Sequence, residues 1–88
     1  MKEFKYIIVR DSEGEERAIV FPKALWHRDV ARIHRATDVV VVSAGFCRVT
    51  TEACDSWWAG GESDTLRMKS RPCDAGVIQK DYGDIRCS

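Results

Sequence analysis

The sequence predicts an α+β domain of order β-β-α-β-β-α, with a mostly antiparallel sheet of about four strands and two helices packed on one face of it. Three observations carry that prediction. Residues 39–42 are four consecutive valines, a β-branched run with no polar face to give to water, preceded by Asp38 and followed shortly by Gly45. Two further runs of strand composition, 4–9 and 17–21, flank an acidic, turn-prone segment. Over 26–35 the apolar period changes from two to nearly four, the mark of an amphipathic helix.

The runs 4–9 and 17–21 make a hairpin, with Gly14 supplying a positive φ at its tip and Pro22 closing its second strand. Glu13, Glu15 and Glu16 make that tip acidic and read as a solvated loop. In the helix, a rotation of about 100° per residue sets Trp26, Val30 and Ile33 on one side and Arg28, Arg32 and Arg35 on the other. The first set is expected against the sheet and the second in solvent, with Asp29 suited to the positive end of the helix dipole. His27 and His34 read as helix-surface histidines.

The valine run continues into a strand over 39–49, expected to be central and buried on both faces, with Cys47 acting as a small hydrophobe. A polar connection leads to Ser56-Trp57-Trp58-Ala59, the fourth strand, ended by Gly60-Gly61. Adjacent strand residues point to opposite faces, so at least one of Trp57 and Trp58 belongs at the surface, under a loop or under the second helix. Gly60-Gly61-Glu62-Ser63 lacks the lysine of a phosphate-binding loop and reads as a turn, with Thr65-Leu66-Arg67-Met68 as an additional short edge. Ser70 as N-cap, Pro72 in the first turn and Asp74 near the positive end begin a second helix. It runs through Ala75, Val77, Ile78 and Tyr82 to a stop at Gly83. Gly76 inside it costs about 1 kcal/mol relative to alanine and points to a close approach to the sheet or to fraying. The last five residues carry no packing signal and are expected to be loose.

The 88 residues are enough for one domain, 1–88, at 44% hydrophobic and 32% charged. Fourteen basic and fourteen acidic residues cancel, which removes the long-range attraction behind non-specific binding to nucleic acid or anionic lipid. No apolar stretch approaches the roughly 20 residues of a membrane span, and Met1-Lys2-Glu3-Phe4-Lys5 lacks secretory features, so a soluble cytoplasmic location is expected. Cys47, Cys54, Cys73 and Cys87 contain no C-x-x-C pair, and the His27 and His34 spacing matches no zinc signature. Four free thiols and no metal or cofactor are expected, with Cys87 the most reactive.

No nucleophile and base stand out, so no catalytic residues are assigned and the chain is read as not an enzyme. The best functional candidate is the arginine stripe of Arg28, Arg32 and Arg35, because three guanidinium groups on one helical face bind carboxylates or phosphates directionally. Arg67, Lys69 and Arg71 form a second basic cluster. Trp57 and Trp58 complete the candidate partner-binding set, since tryptophan and arginine anchor protein interfaces more often than other residues. The leading expectation is a binding protein that occupies an acidic surface on a partner protein. A nucleic-acid-binding module using the basic helix is the alternative, and a thiol enzyme or redox protein using Cys73 or Cys87 is the third reading.

Ser43-Ala44-Gly45-Phe46, Gly61-Glu62-Ser63-Asp64-Thr65-Leu66 and Ser70-Arg71-Pro72-Cys73-Asp74-Ala75 together resemble small uncharacterised proteins encoded by bacteriophages and prophages. The resemblance covers the second half of the chain and rests on a strand, a turn and a helix cap. It implies a viral accessory protein in the host cytoplasm that binds and blocks host machinery, as anti-CRISPR proteins do. It carries over no catalytic or ligand residue.

Overall fold

A computed structural model describes residues 2–35, 37–50, 56–63 and 66–82. Strands β1 (Lys2–Arg10) and β2 (Glu16–Phe21) form the expected hairpin. Gly14 has φ 85°, and the Asp11 carboxylate accepts the Glu13 and Glu15 amides inside the turn. Helix α1 (His27–Arg35) then crosses β1 to reach β3 (Val40–Thr50), and β4 (Ser56–Gly60) follows. The four strands pair antiparallel in the order β2-β1-β3-β4. Gly61, with φ 75°, turns the chain into β5 (Glu62–Ser63), which pairs with β6 (Met68–Lys69) in a small second sheet. The extra strand foreseen over 65–68 is therefore at Met68–Lys69, and Glu62–Ser63 is its partner rather than part of a turn. Helix α2 (Asp74–Tyr82) ends the described chain. Gly83, Cys54, Cys87 and the 51–55 connection lie outside the described residues.

The class is the α+β one that the sequence predicts, but the two helices lie on opposite faces of the sheet rather than on one. Ile7, Val9, Phe21, Val41 and Ala44 turn to one face and pack with Val30 and Ala31 of α1. Tyr6, Ile8, Ala18 and Cys47 turn to the other and pack with Ile78 of α2. The reason lies in β1: Phe4, Tyr6 and Ile8 point one way and Ile7 and Val9 the other, so both faces are apolar and both need a cover. The valine run is less uniformly buried than its composition suggests. Pairing slips between Ile8 and Val9, where Ile8 faces Ser43 but Val9 faces Val41, and the extra Val42 makes a bulge. Beyond it Val40, at the strand's start, is 58% exposed.

The start of α2 is held by a buried carboxylate. Asp74 is fully buried and accepts hydrogen bonds from the Tyr6 phenol (2.6 Å), the Ser43 hydroxyl (2.9 Å), and the backbone N–H and Nε of Arg71 (2.9 Å each). The reach back to the Arg71 amide is the acidic half of a capping box, which makes Arg71 the N-cap and Pro72 the first helical position; Ser70 is not the cap. Burial first, and the Asp74 carboxylate second, push the Tyr6 phenol far above its ordinary range, so it stays a donor. Arg71 also bridges to Glu16, with Nη2 2.7 Å from Oε1, and Glu16 in turn takes Arg10 at 2.7 Å. Hydrogen bonds from Arg71 and then Arg10 lower Glu16 to about 2. Glu16 is thus part of this network, not of a solvated acidic tip.

The last turn of α2 covers the outer edge of β2. Lys80 Nζ donates to the Glu16 carbonyl, Asp81 accepts from the Ala18 amide, and the Tyr82 hydroxyl donates to the Ala18 carbonyl while accepting the Val20 amide. Side chains stand where another strand would, which protects the edge from further pairing.

Three outcomes follow from this packing. Asp74→Ala leaves Tyr6, Ser43 and Arg71 without their shared acceptor and lowers stability by about 3–5 kcal/mol, read from the urea midpoint. Gly76 faces open space, where a side-chain methyl would meet nothing within 4 Å beyond its own helix backbone, so close approach does not explain it and Gly76→Ala raises stability by about 1 kcal/mol. Because the folded pKa of Glu16 is depressed, its contribution is full above the ordinary value of 4.5 and is lost as pH falls through about 2. The stability gap between wild type and Glu16→Gln therefore closes across that window in acid titrations monitored by circular dichroism.

Candidate functional site

Helix α1 is rotated from the orientation that its apolar residues suggest. The buried stripe is His27, Val30 and Ala31, with His34 half-buried, an i, i+3, i+4, i+7 pattern. Trp26 is 56% exposed and Ile33 68% exposed, so neither packs on the sheet as expected. Ala31 meets a surface containing Ala44, and these small side chains let the helix approach closely. His27 supplies the anchor at its N-terminus. It is buried rather than on the helix surface, its Nε2 lies 2.8 Å from the Gly45 carbonyl, and its ring sits edge-on to Phe21 (5.4 Å) and Phe46 (5.7 Å). With Gly45 as acceptor, Nε2 carries the proton. Burial lowers the His27 pKa, the Gly45 hydrogen bond opposes this, and Lys5 adds to the lowering.

Seating His27 inward sends its neighbours outward. The Trp26 ring is flanked by Lys5 Nζ at 6.0 Å and the Arg28 guanidinium at 5.8 Å, both within cation–π range. Lys5 is itself held by the Leu25 carbonyl at 2.8 Å. Arg28, Arg32 and Arg35 are all exposed; Arg28 lies 4.0 Å from Asp29, and among the described residues Arg32 and Arg35 form no ion pair or side-chain hydrogen bond. The outward face of α1 therefore combines three guanidinium groups with exposed Trp26 and Ile33.

A second exposed group lies along β3 and β4 on the same side of the sheet. Trp58 is 50% exposed, with the Arg48 guanidinium 4.7 Å from its ring. Arg48 and Lys23 both bind Glu3, at 2.9 and 3.2 Å, and these hydrogen bonds, Arg48 first, hold the Glu3 carboxyl below its ordinary range. Arg67 and Lys69 are exposed beside Leu66 and Met68, which pack on the α1-side core.

Two residues of the candidate set are engaged inside the fold instead. Trp57 packs under α2, 6.0 Å from the Tyr82 ring, with its indole N–H buried and unpartnered among the described residues. Arg71 belongs to the Asp74 and Glu16 network, so the second basic cluster presents only Arg67 and Lys69. Its bonds to Glu16 raise its pKa further. Sequence reasoning missed Trp26, Lys5 and Arg48 as surface partners. The signal for Arg48 was the strand alternation that also exposes Trp58, since the two are register partners on one face.

Burial pushes the Cys47 thiol up to about 12, which makes it inert, while Cys73 is exposed in the first turn of α2. Among the described residues no histidine bonds a thiol, and no cluster of His, Cys, Asp or Glu is arranged to hold a metal. No described helix is long and apolar enough to cross a membrane.

His27 has a folded pKa below its ordinary 6.5, so the unfolded state binds protons more readily and stability falls as pH drops below that value. Denaturation midpoints between pH 7 and 5 should decline more for wild type than for His27→Leu. No protein-family model, curated protein or solved structure matches this chain.

Proposed function

We propose that this chain is a non-enzymatic protein-binding module that docks an acidic surface of a partner protein on the outward face of α1. The observation that carries the reading is the joint exposure of Arg28, Arg32 and Arg35 on a helix whose start presents Trp26 between two cations. Arginine supplies bidentate contacts to carboxylates, and a half-exposed indole supplies the apolar anchor that such interfaces need. Arg32 and Arg35 have no acidic partner among the described residues, so they meet a carboxylate without first breaking an internal bond.

Catalysis has less support. Tyr6, Ser43 and Asp74 form a polar cluster, but all three are fully buried and closed to a substrate. Nucleic-acid binding is also less favoured: Lys23 and Arg48 share the carboxylate of Glu3, Arg71 is paired with Glu16 and Asp74, and the net charge is zero. The resemblance to phage accessory proteins supplies a setting, the host cytoplasm, in which occupying a host protein's surface blocks its work, CRISPR defence being one such target.

The test is affinity capture from host lysate followed by titration against the recovered partner. Arg28/Arg32/Arg35→Glu should lose capture, and Trp26→Ala should weaken it by about 2 kcal/mol or more, some thirtyfold in Kd. Equal recovery of one partner by wild type and the triple variant would remove α1 from the account. A salt-sensitive gel shift with DNA or RNA, abolished by the same triple variant, would favour the nucleic-acid alternative.

A further inference from the structure

The two edges of the main sheet are treated differently. On β2 the outward backbone groups belong to Glu16, Ala18 and Val20, and α2 side chains occupy them. Antiparallel pairing alternates, so this parity carries across the sheet. If Ala18 and Val20 point away from β1, then Ile7 and Lys5 bond to β2, and Tyr6 and Phe4 bond to β3. Gly45 and Cys47 then bond back to β1, and Phe46 and Arg48 bond to Gly60 and Trp58. The outward N–H and C=O groups of β4 are those of Trp57 and Ala59. Among the described residues nothing hydrogen-bonds to them.

Strand β4 also lacks three of the devices that deter pairing. Ser56-Trp57-Trp58-Ala59-Gly60 has no charge and no proline, and its pairing with β3 runs without a bulge. We infer that β4 pairs with β4 of a second copy of this chain, antiparallel and centred on Trp58, so that two four-stranded sheets join into one. The occupant is a second copy because the strand is complementary to itself in this register. Trp57 stands opposite Ala59 of the other copy, and Ala59 opposite its Trp57, so every outward-pointing amide and carbonyl in both strands is satisfied. Large meets small at these two positions, and Ser56 meets Gly60. Trp58 meets its own copy in the wide pair, where cross-strand side chains come closest and aromatic pairs are most favourable.

The surroundings of Trp58 suit that meeting. Its indole lies along the strand over Gly60, where a Cβ would sit 2.6 Å from the ring, and Arg48 covers it at 4.7 Å. Glu3, 2.9 Å from Arg48 and shared with Lys23, offsets part of that charge, so the two copies do not bring bare guanidinium groups together. The pairing uses none of the α1 arginines and does not rest on the proposed function.

Sedimentation velocity and light scattering over a wide concentration range test it. Wild type should rise from 10.0 kDa toward twice that mass as concentration increases. Ala59→Pro removes an outward amide that β3 does not use, and Trp58→Glu sets like charges opposite each other at the centre. Both should stay at 10.0 kDa throughout, with circular dichroism reporting that each is folded. If Ala59→Pro fails to fold, Trp58→Glu decides alone. Arg28/Arg32/Arg35→Glu should assemble like wild type, which separates this inference from the reading of α1. A wild type that stays at 10.0 kDa to millimolar concentration overturns the pairing, as does assembly that survives the folded variants.

Discussion

The buried carboxylate of Asp74 is the contact on which the arrangement of elements depends. Four donors from three parts of the chain converge on it: Tyr6 from β1, Ser43 from β3, and the backbone and guanidinium of Arg71 at the helix start. Through Arg71 the network extends to Glu16 on β2 and Arg10 on β1. A charge this deep is tolerable only with its acceptor capacity filled, and filling it requires β1, β3 and α2 to hold one relative position. The same network sets where α2 begins, so the last turn of that helix arrives over the edge of β2.

On the opposite face a neutral side chain has the corresponding role. His27 is the first residue of α1, and its hydrogen bond to Gly45, with Phe21 and Phe46 edge-on, fixes the rotation of the helix about its axis. That rotation determines the character of the surface. A turn of one residue would have buried Trp26 and left His27 outside; as it stands, the indole is exposed between Lys5 and Arg28. A buried packing contact thus sets the composition of the exposed face that carries the binding proposal.

The sheet divides its apolar and polar duties by the same geometry. Trp57 and Trp58 are adjacent, one filling the α2-side core beside Tyr82 and the other standing on the α1 side beneath Arg48. The polar side chains at the end of α2 close one edge of the sheet, while the backbone of Trp57 and Ala59 at the other edge meets no described partner. The asymmetry comes from the direction of α2, the one described helix on that face, whose last turn points to β2.

Features that depend on near neighbours in the chain were legible in the sequence alone. These are the class and order of the main elements, the positive φ of Gly14, the proline that ends β2, the burial of Cys47 and the split of the tryptophan pair. Each follows from local sterics or from a strand period of two, which needs no knowledge of what lies across the core. Features that depend on partners distant in sequence were not. Which face of α1 is buried turns on a carbonyl 18 residues away, and apolar periodicity alone favoured Trp26 and Ile33 over His27 and Ala31. The placement of the helices on opposite faces follows from β1 being apolar on both sides. Asp74 looked like an ordinary helix-start acid, and Arg71 and Glu16 like surface charges, until folding brought residues up to 68 positions apart within hydrogen-bonding distance. Polar side chains carry no mark in a sequence of whether they will be solvated or paired, because that is decided by the groups that tertiary packing sets beside them.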